Sequence, residues 1–270
     1  MTDKIVVIMS VYYSDAPDDF KLAVDSMLSQ SVYCDIFIYR DGAVSEELDR
    51  ILKFFLNEKR IKIFPSETNN GLAYALNSLI DVAVSNNYDF VARMDSDDIS
   101  RNDRLYKQIS YFKDNQDVDI CGGLCREFNS EYALEKKQVP MFHDDLVDYS
   151  IARCPFIHPT VMFRISVFKN GYRYPVNTSF SEDMALWYNL ILNGYKLGNV
   201  NEILLDYRLN DKTLSRRKGI KKAWSEVALR FNYMIALRRC SIKNVFFLFF
   251  RFFFHLMPVV FTKVLYKRMR

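Results

Sequence analysis

Short apolar runs alternate with segments of helical periodicity over most of the chain. Continuous apolar runs favour buried strands, whereas apolar residues that recur every three to four positions favour helices. We therefore predict strands at residues 5–9, 36–39, 61–64, 90–94, 119–126, 158–163 and 203–208. We predict helices at residues 19–29, 45–57, 72–84, 104–115 and 183–192, the second with Ser45 as its N-cap.

This order of elements is typical of an α/β protein. Strands that alternate with helices form a mainly parallel sheet covered by helices, and ligands bind beyond the carboxyl ends of its strands. Polar clusters follow three of the predicted strands: Ser10-Val11-Tyr12, Arg40-Asp41-Gly42 and Arg93-Met94-Asp95-Ser96-Asp97-Asp98. We therefore expect a ligand site at this edge of the sheet, with the polar residues 129–145 forming loops around it.

The third cluster places three carboxylates within four residues, at Asp95, Asp97 and Asp98. Like charges crowded in this way repel one another, which favours a bound cation. Mg²⁺ and Mn²⁺ prefer oxygen ligands and often bridge carboxylates to substrate phosphates. The alternative is a solvated acidic loop that caps the next helix.

Composition supports one main domain with an appendage, because 270 residues of which 50% are hydrophobic can bury a sizeable core. The five cysteines are odd in number, which favours reduced thiols. Cys121 and Cys125 have no second Cys or His pair nearby, so we predict buried side chains rather than a metal site. The first apolar run, residues 5–9, is too short for a signal peptide, and we expect no secretion by that route.

Charge is distributed unevenly along the chain. Residues 212–270 contain 15 Lys and Arg and one Glu, whereas the rest has 22 basic and 32 acidic residues. Such a basic segment suggests an anionic membrane or nucleic acid as partner. Eight Phe within residues 245–261 favour the membrane, and we expect no nucleic-acid binding.

The apolar stretch at residues 245–261 is interrupted by Arg251 and is shorter than the about 20 residues of a spanning helix. A charge at the centre of a span is costly, so we predict an amphipathic helix that lies in the membrane surface. The alternative is a pair of helices packed on the catalytic domain or on a second subunit.

The motifs together carry a family resemblance, over about residues 4–210. The chain strongly resembles the family 2 inverting glycosyltransferases with the GT-A fold, and it is similar to enzymes of bacterial surface polysaccharide (O-antigen) synthesis. The motifs are Ser10-Val11-Tyr12, Asp41, the segment from Asn70 to Asn77, that from Arg93 to Asp98, and Ser181-Glu182-Asp183.

The resemblance implies a GT-A type, Rossmann-like fold, with a mainly parallel sheet flanked by helices. The catalytic domain would span residues 1–210, with the nucleotide-sugar half at about 1–100 and the acceptor half at about 101–210. Residues 211–270 would form the basic, Phe-rich helical tail that associates with the membrane.

For the donor, the resemblance implies a UDP-sugar held with Mn²⁺ or Mg²⁺. The nucleobase would lie on Ser10, Val11 and Tyr12, and Asp41 would accept a hydrogen bond from a uracil N–H. Asp95 would approach the ribose and the metal, and Asp97 would be the principal metal ligand. Two further predicted donor residues are Asn70 and Gly71, at a helix start whose N–H groups would face an anion or the sugar; the alternative for Gly71 is a plain turn glycine. Arg93 would pair with the acidic cluster or touch phosphate.

For the acceptor, the resemblance implies that Asp183 is the catalytic base, with Glu182 beside it. The alternative is that both acids only stabilise the start of a helix. His158 would approach the acceptor, and Trp187 would form a platform for it or pack in the core. Arg208 and Arg216 would contact phosphate.

These expectations combine into one predicted activity, the transfer of a hexose, galactose or glucose, from a UDP-sugar. The acceptor would be undecaprenyl-diphosphate-linked GlcNAc or GalNAc, at the cytoplasmic face of the plasma membrane. Two alternatives remain: a catalytically inactive nucleotide-binding or scaffold module, and a nucleotidyltransferase. Intact Asp95, Asp97 and Asp183 argue against the first, and the absence of a glycine-rich basic loop after residues 5–9 argues against the second.

Overall fold

A computed structural model describes residues 3–178, 181–209 and 220–256. In this part of the chain, eight strands form one mixed sheet in the order β3-β2-β1-β4-β7-β6-β8-β5. The strands are β1 Ile5–Tyr12, β2 Asp35–Asp41, β3 Ile61–Ser66, β4 Phe90–Arg93, β5 Ile99–Ser100, β6 Ile120–Phe128, β7 Met162–Arg164 and β8 Leu197–Arg208.

The first four strands form the parallel part of the sheet. β1 pairs in parallel with β2 and β4, and β2 pairs in parallel with β3. β7 joins this part to β6 through two antiparallel pairings, and β6 pairs in parallel with β8. The carboxyl ends of β1, β2 and β4 therefore lie at one edge, as the sequence predicts.

Nine helices accompany the sheet in the described ranges. They are α1 Pro17–Leu28, α2 Glu46–Phe55, α3 Leu72–Ser85, α4 Arg104–Asp114, α5 His143–Ala152, α6 Ile165–Lys169, α7 Glu182–Leu192, α8 Ile220–Ala236 and α9 Ile242–Leu256. The predicted N-cap of α2 is confirmed, because the Ser45 hydroxyl accepts a hydrogen bond from the backbone N–H of Leu48 at 3.2 Å.

Alternate residues of β1 enter two different cores, because successive strand side chains point to opposite faces. Val7 and Met9 pack with α1, α2 and α4 on one face of the sheet. Val6 and Ile8 pack with α3 and α7 on the other. β1 is thus buried on both faces, which explains why it reads as a continuous apolar run.

Three predicted elements need correction. Residues 158–163, predicted as a strand, form a 3₁₀ turn at His158–Thr160 and then β7, since Pro159 has no N–H for a strand ladder. The predicted loops at 129–145 end where α5 begins at His143. β8 starts at Leu197 rather than residue 203, and its pairing with β6 shifts register near Leu124.

The helices α8 and α9 pack on the body of the protein through α5. Arg230 of α8 donates to the carbonyls of Ser150 (2.6 Å) and Ile151 (3.1 Å), and Arg251 of α9 donates to that of Ala152 (3.0 Å). These carbonyls lie at the end of α5, where the helix offers them no N–H partner. The tail therefore begins as a helical pair packed on the body, which was the alternative prediction.

Among the described residues, the structure has no helix that combines the length and the apolar character needed to cross a bilayer. Cys121 and Cys125 are buried, as predicted, and form no disulfide in the part of the chain that the structure describes. Residues 210–219 and 257–270 fall outside the described ranges, and with them Arg216.

Candidate active site

Three aspartates form an acidic cluster in the loop after β4. The carboxylate oxygens of Asp95, Asp97 and Asp98 lie within 4.8 Å of one another. Asp98 is fully buried, and its Oδ1 accepts the backbone N–H of Arg208 at 2.8 Å. Its Oδ2 is also buried and has no hydrogen-bond partner among the described residues. An unpartnered carboxylate oxygen in such a cluster fits a divalent cation.

The electrostatics of the cluster lead to the same conclusion. Burial, followed by the charges of Asp95 and Asp15, raises the pKa of Asp97 to about 7. Burial, followed by Asp95 and Asp97, raises the pKa of Asp98 well above its usual value. Burial and, after it, crowded negative charge both destabilise the ionised carboxylates, a cost that a bound metal ion would offset.

Two arginines hold the acidic loop in place. Buried Arg93 pairs with Asp95, which is the pairing role predicted as an alternative to phosphate contact. Arg208 donates from Nε to the carbonyl of Asp97 at 2.8 Å and pairs with Asp19 at 3.0 Å. Arg208 is thus engaged with the loop, and its contact with phosphate stays a prediction.

The predicted nucleobase residues lie together at the ends of β1 and β2. Tyr12 and Asp41 are direct neighbours across the two strands, and Ser10 pairs with Tyr39. The Tyr12 ring, partly exposed, packs edge-to-face against Tyr13. The Val11 side chain is fully buried in the core, so only its backbone is left for the nucleotide contact, which stays a prediction.

The turn before α3 uses two of its backbone amides to bind a side chain of the protein. The backbone N–H groups of Asn70 and Gly71 donate to the two oxygens of Asp41, at 2.7 and 2.9 Å. Gly71 has a φ of 86°, a conformation that favours glycine. These two amides thus bind a carboxylate of the protein rather than facing a ligand, and Asp41 holds the turn; its contact with uracil stays a prediction.

Asp183 lies in the first turn of α7, preceded by Glu182. One of its oxygens accepts the N–H of Met184 at 2.7 Å, and the other lies 3.7 Å from the Cys154 sulfur. Burial raises the pKa of Asp183 above its usual value. A carboxylate with a raised pKa is suited to accept a proton near neutral pH.

His158 and Tyr174 contact each other in the region of the two acidic groups. The His158 Nε2 is 3.0 Å from the Tyr174 hydroxyl. Burial, followed by the nearby Arg93 charge, lowers the pKa of His158 well below its usual value, so the ring is neutral. The buried Tyr174 hydroxyl has a raised pKa because of burial, to which the charges of Asp183, Glu182 and Asp95 also contribute. Tyr174 is therefore near both acidic groups.

Trp187 does not form an acceptor platform. Its side chain is 0% exposed and stacks on Phe163, with 5.6 Å between the ring centroids. An indole without exposed surface cannot present a face to a sugar. The predicted alternative, core packing, is the correct one.

One cavity of about 1360 Å³ reaches both acidic groups, through Asp95 of the cluster and through Asp183; Asp97 and Asp98 do not line it. Arg93, Asp95 and Leu72 line it on the side of β4, and Ser181, Asp183 and Met184 line it at the start of α7. His158 also contributes to its wall. The structure thus brings carboxylates separated by almost ninety residues in sequence to a common space.

Several residues around the two acidic groups were not predicted from the sequence. Tyr174, Cys154, Glu226 and Arg230 all contact or electrostatically influence Asp183, His158 or their neighbours. Of these residues, only Glu226 and Arg230 could have been found in the sequence. Their four-residue spacing on a helix predicts an ion pair, but it does not predict where that pair lies in the fold.

Comparison with known proteins gives the family. Residues 6–172 match Glycosyl transferase family 2, and the chain belongs to this family. It is 32% identical, over 99% of its length and 96% of the relative's, to UDP-Gal:alpha-D-GlcNAc-diphosphoundecaprenol beta-1,3-galactosyltransferase from Escherichia coli. It is 29% identical, over 98% of both chains, to the amylovoran biosynthesis glycosyltransferase AmsE of Erwinia amylovora.

A solved structure confirms the predicted fold class. The mannosyltransferase PcManGT of Pyrobaculum calidifontis, in complex with GDP-Man and Mn²⁺, superimposes with a TM-score of 0.64 at 13% identity. The match covers 88% of this chain and 65% of the mannosyltransferase. The protein is therefore a glycosyltransferase with the GT-A fold.

Proposed function

We propose that this protein is a metal-dependent, inverting hexosyltransferase that uses a UDP-sugar and a sugar linked to undecaprenyl diphosphate. The observation that carries the proposal is the single cavity lined by both Asp95 and Asp183. An inverting transfer requires a donor site and a base on opposite sides of one reacting carbon. The curated relative from Escherichia coli supports UDP-galactose as donor and diphosphate-linked GlcNAc as acceptor, with glucose and GalNAc as the other candidates.

Asp97 and Asp95 would hold the divalent ion, Mn²⁺ or Mg²⁺. When bound, the ion supplies Lewis-acid stabilisation to the negative charge that develops on the departing diphosphate. The clustered oxygens, the raised pKa of Asp97 and the Mn²⁺ in the mannosyltransferase structure support this role. Arg93, paired with Asp95, would fix the orientation of that carboxylate.

The nucleotide would lie at the ends of β1 and β2. Tyr12 offers a partly exposed ring there, and base stacking on an aromatic ring contributes about 1–3 kcal/mol. Ser10 and the backbone of Val11 complete this surface. Asp41 would keep the Asn70–Gly71 turn closed and use a remaining lone pair for a uracil N–H.

Asp183 would act as the base. Its carboxylate accepts the proton of the acceptor hydroxyl while that oxygen bonds to the anomeric carbon, and the bond from that carbon to the diphosphate breaks to release UDP. The raised pKa of Asp183 keeps it basic enough for this step. Glu182 and neutral His158 would contact the acceptor sugar.

The tail, residues 211–270, would hold the enzyme at the cytoplasmic face of the plasma membrane. One face of α9 is apolar and exposed, through Ile242, Val245, Phe246, Phe249 and Phe253. An amphipathic helix of this kind, in a basic segment, binds an anionic surface. The donor is soluble and the acceptor is confined to the bilayer, so this location brings the enzyme to its acceptor.

A donor and acceptor screen tests the proposed function. The purified protein would be given Mn²⁺, a panel of UDP-hexoses and a lipid-diphosphate GlcNAc or GalNAc, and the product's anomeric configuration would be determined by NMR. We expect transfer with inversion from one UDP-hexose, abolished by chelator. Turnover that persists in chelator would contradict the metal role, and a product with retained configuration would contradict the mechanism.

A further inference from the structure

The cavity does not end at Asp183. It continues between the end of α5 and the α8–α9 pair, where its wall includes Tyr149, Arg153, Arg239, Lys243, Phe247 and Phe250. The β4 end of the cavity borders the acidic cluster through Asp95, whereas this end carries positive and aromatic side chains. The two ends therefore suit different ligands.

Positive charge is in excess at the tail end. Five cations and three carboxylates line it: Arg153, Arg230, Arg239, Lys243 and Arg251, against Asp145, Asp148 and Glu226. Glu226 is shared by Arg230 at 3.0 Å and Arg251 at 2.5 Å, and Asp148 pairs with Arg239 at 3.3 Å. Arg153 and Lys243 form no ion pair within the part of the chain that the structure describes. They are the two cations available to an anionic ligand.

Each of these two cations lies beside an aromatic ring of the same wall. The Arg153 guanidinium is 6.0 Å from the centre of the Tyr149 ring, and the Lys243 ammonium is 5.9 Å from that of Phe247. Phe247 is 39% exposed. A ligand that fits this wall has a compact anionic group joined directly to an apolar chain.

We propose that this end of the cavity binds the lipid diphosphate of the acceptor, with Arg153 and Lys243 on its phosphate oxygens and Phe247 and Phe250 on the start of its lipid chain. The inference rests on the proposed function and deepens it. The metal ion held by the acidic cluster would bind the diphosphate of the donor. The separate group of cationic side chains at the tail end of the cavity then suits a second diphosphate. The sugar between the two would then lie at Asp183.

Binding of farnesyl diphosphate, measured by calorimetry with UDP and Mn²⁺ saturating the donor site, tests this subsite. We expect Arg153→Gln and Lys243→Gln each to weaken binding by about tenfold, the effect of one lost charge-assisted hydrogen bond. Arg238→Gln is the matched control, because Arg238 is exposed in the same tail but does not line the cavity. Equal affinity of the wild type, the two cavity variants and the Arg238→Gln control for farnesyl diphosphate would overturn the proposal.

Two further measurements show whether Arg153 and Lys243 bind the diphosphate of the acceptor or the headgroups of membrane phospholipids. With a lipid-diphosphate GlcNAc acceptor, the two cavity variants should raise its KM about tenfold and leave kcat and the donor KM unchanged. Vesicles of phosphatidylglycerol should bind the two variants as they bind Arg238→Gln, which removes one charge from the same tail; a larger loss, confined to vesicle binding, would assign these cations to phospholipid headgroups and overturn the proposal.

The calorimetric result is independent of the sugar chemistry. If farnesyl diphosphate binding shows the predicted dependence on Arg153 and Lys243 but no sugar is transferred, the subsite is supported and the proposed function fails. If sugar is transferred and the two variants have wild-type KM, the proposed function survives and the subsite is wrong.

Discussion

Asp183 is a carboxylate at the start of a helix, where the macrodipole would normally favour its ionised form. Burial opposes this and raises its pKa. A base must be ionised to accept a proton, so kcat/KM should rise with pH through the raised pKa of Asp183. We expect the acid limb of the pH profile to lie above the usual range of an aspartate, which steady-state rates between pH 4 and 9 would measure.

Replacing this carboxylate should remove the acid limb together with most of the activity. We expect Asp183→Asn to lower kcat by about 10²–10⁴-fold, the usual contribution of a general base. The matched control is Asp114→Asn, since Asp114 is an exposed aspartate at the end of α4; this variant should have the kcat of the wild type. Wild-type kcat in Asp183→Asn would rule out the base role.

Trp187 illustrates a residue whose chemistry suggests function while its environment dictates packing. Its ring is fully buried and its indole N–H has no hydrogen-bond partner among the described residues. Trp187→Ala should therefore destabilise the fold by about 3–5 kcal/mol, whereas Trp187→Phe should cost less because it also removes an unsatisfied donor. Urea unfolding measures both, and an acceptor KM raised in a stably folded Trp187→Phe would restore the platform role.

At the scale of elements, α5 depends on α8 for the end of its hydrogen-bond ladder. Arg230 is 1% exposed and supplies Ser150 and Ile151 with a donor while it pairs with Glu226. Arg230→Met would remove the donor from the Ile151 carbonyl, while Ser150 keeps the Tyr188 hydroxyl at 2.7 Å and Glu226 keeps Arg251. We expect a loss of about 1–3 kcal/mol in the free energy of unfolding, the cost of an unsatisfied buried acceptor. A loss below 1 kcal/mol, similar to that of Arg238→Gln, would show that the pair does not support α5.

The elements best predicted from sequence are those whose pattern is set locally. The strands β1 to β4 and the helices α1 to α4 follow from apolar runs and helical periodicity, and Ser45 follows from capping preference. β7 and the start of β8 were placed wrongly, because their pairing depends on partners distant in sequence. α5 was missed because its helix lies in a polar segment with a weak apolar stripe.

In the candidate site, too, the features set by one short segment were predictable, whereas those set by contacts between distant segments were not. The acidic loop after β4 was predictable because its chemistry and its place at a strand end lie in one short segment. The use of Asp41 to hold Asn70 and Gly71, and the positions of Tyr174 and Arg230, depend on contacts between segments far apart in the chain. Spacing carries no signal for such contacts.

At the scale of the whole molecule, the apolar face of α9 predicts membrane binding. Phe246→Glu with Phe249→Glu places two negative charges on a surface that would face anionic lipid. We expect at least a tenfold loss of binding to phosphatidylglycerol vesicles in co-sedimentation. Phe54→Glu on α2 is the control, since Phe54 and Phe246 are both 64% exposed; a double variant that still binds as the wild type would refute the anchor.

In the proposed mechanism, the two acidic groups act differently, one on the donor and the other on the acceptor hydroxyl. These two roles are separated by calorimetry. UDP is titrated into Asp97→Asn and into Asp183→Asn in the presence of Mn²⁺. We predict that Asp97→Asn loses Mn²⁺-dependent UDP binding, whereas Asp183→Asn binds UDP as the wild type does and transfers almost no sugar. Unchanged UDP binding in Asp97→Asn, or its loss in Asp183→Asn, would contradict the account.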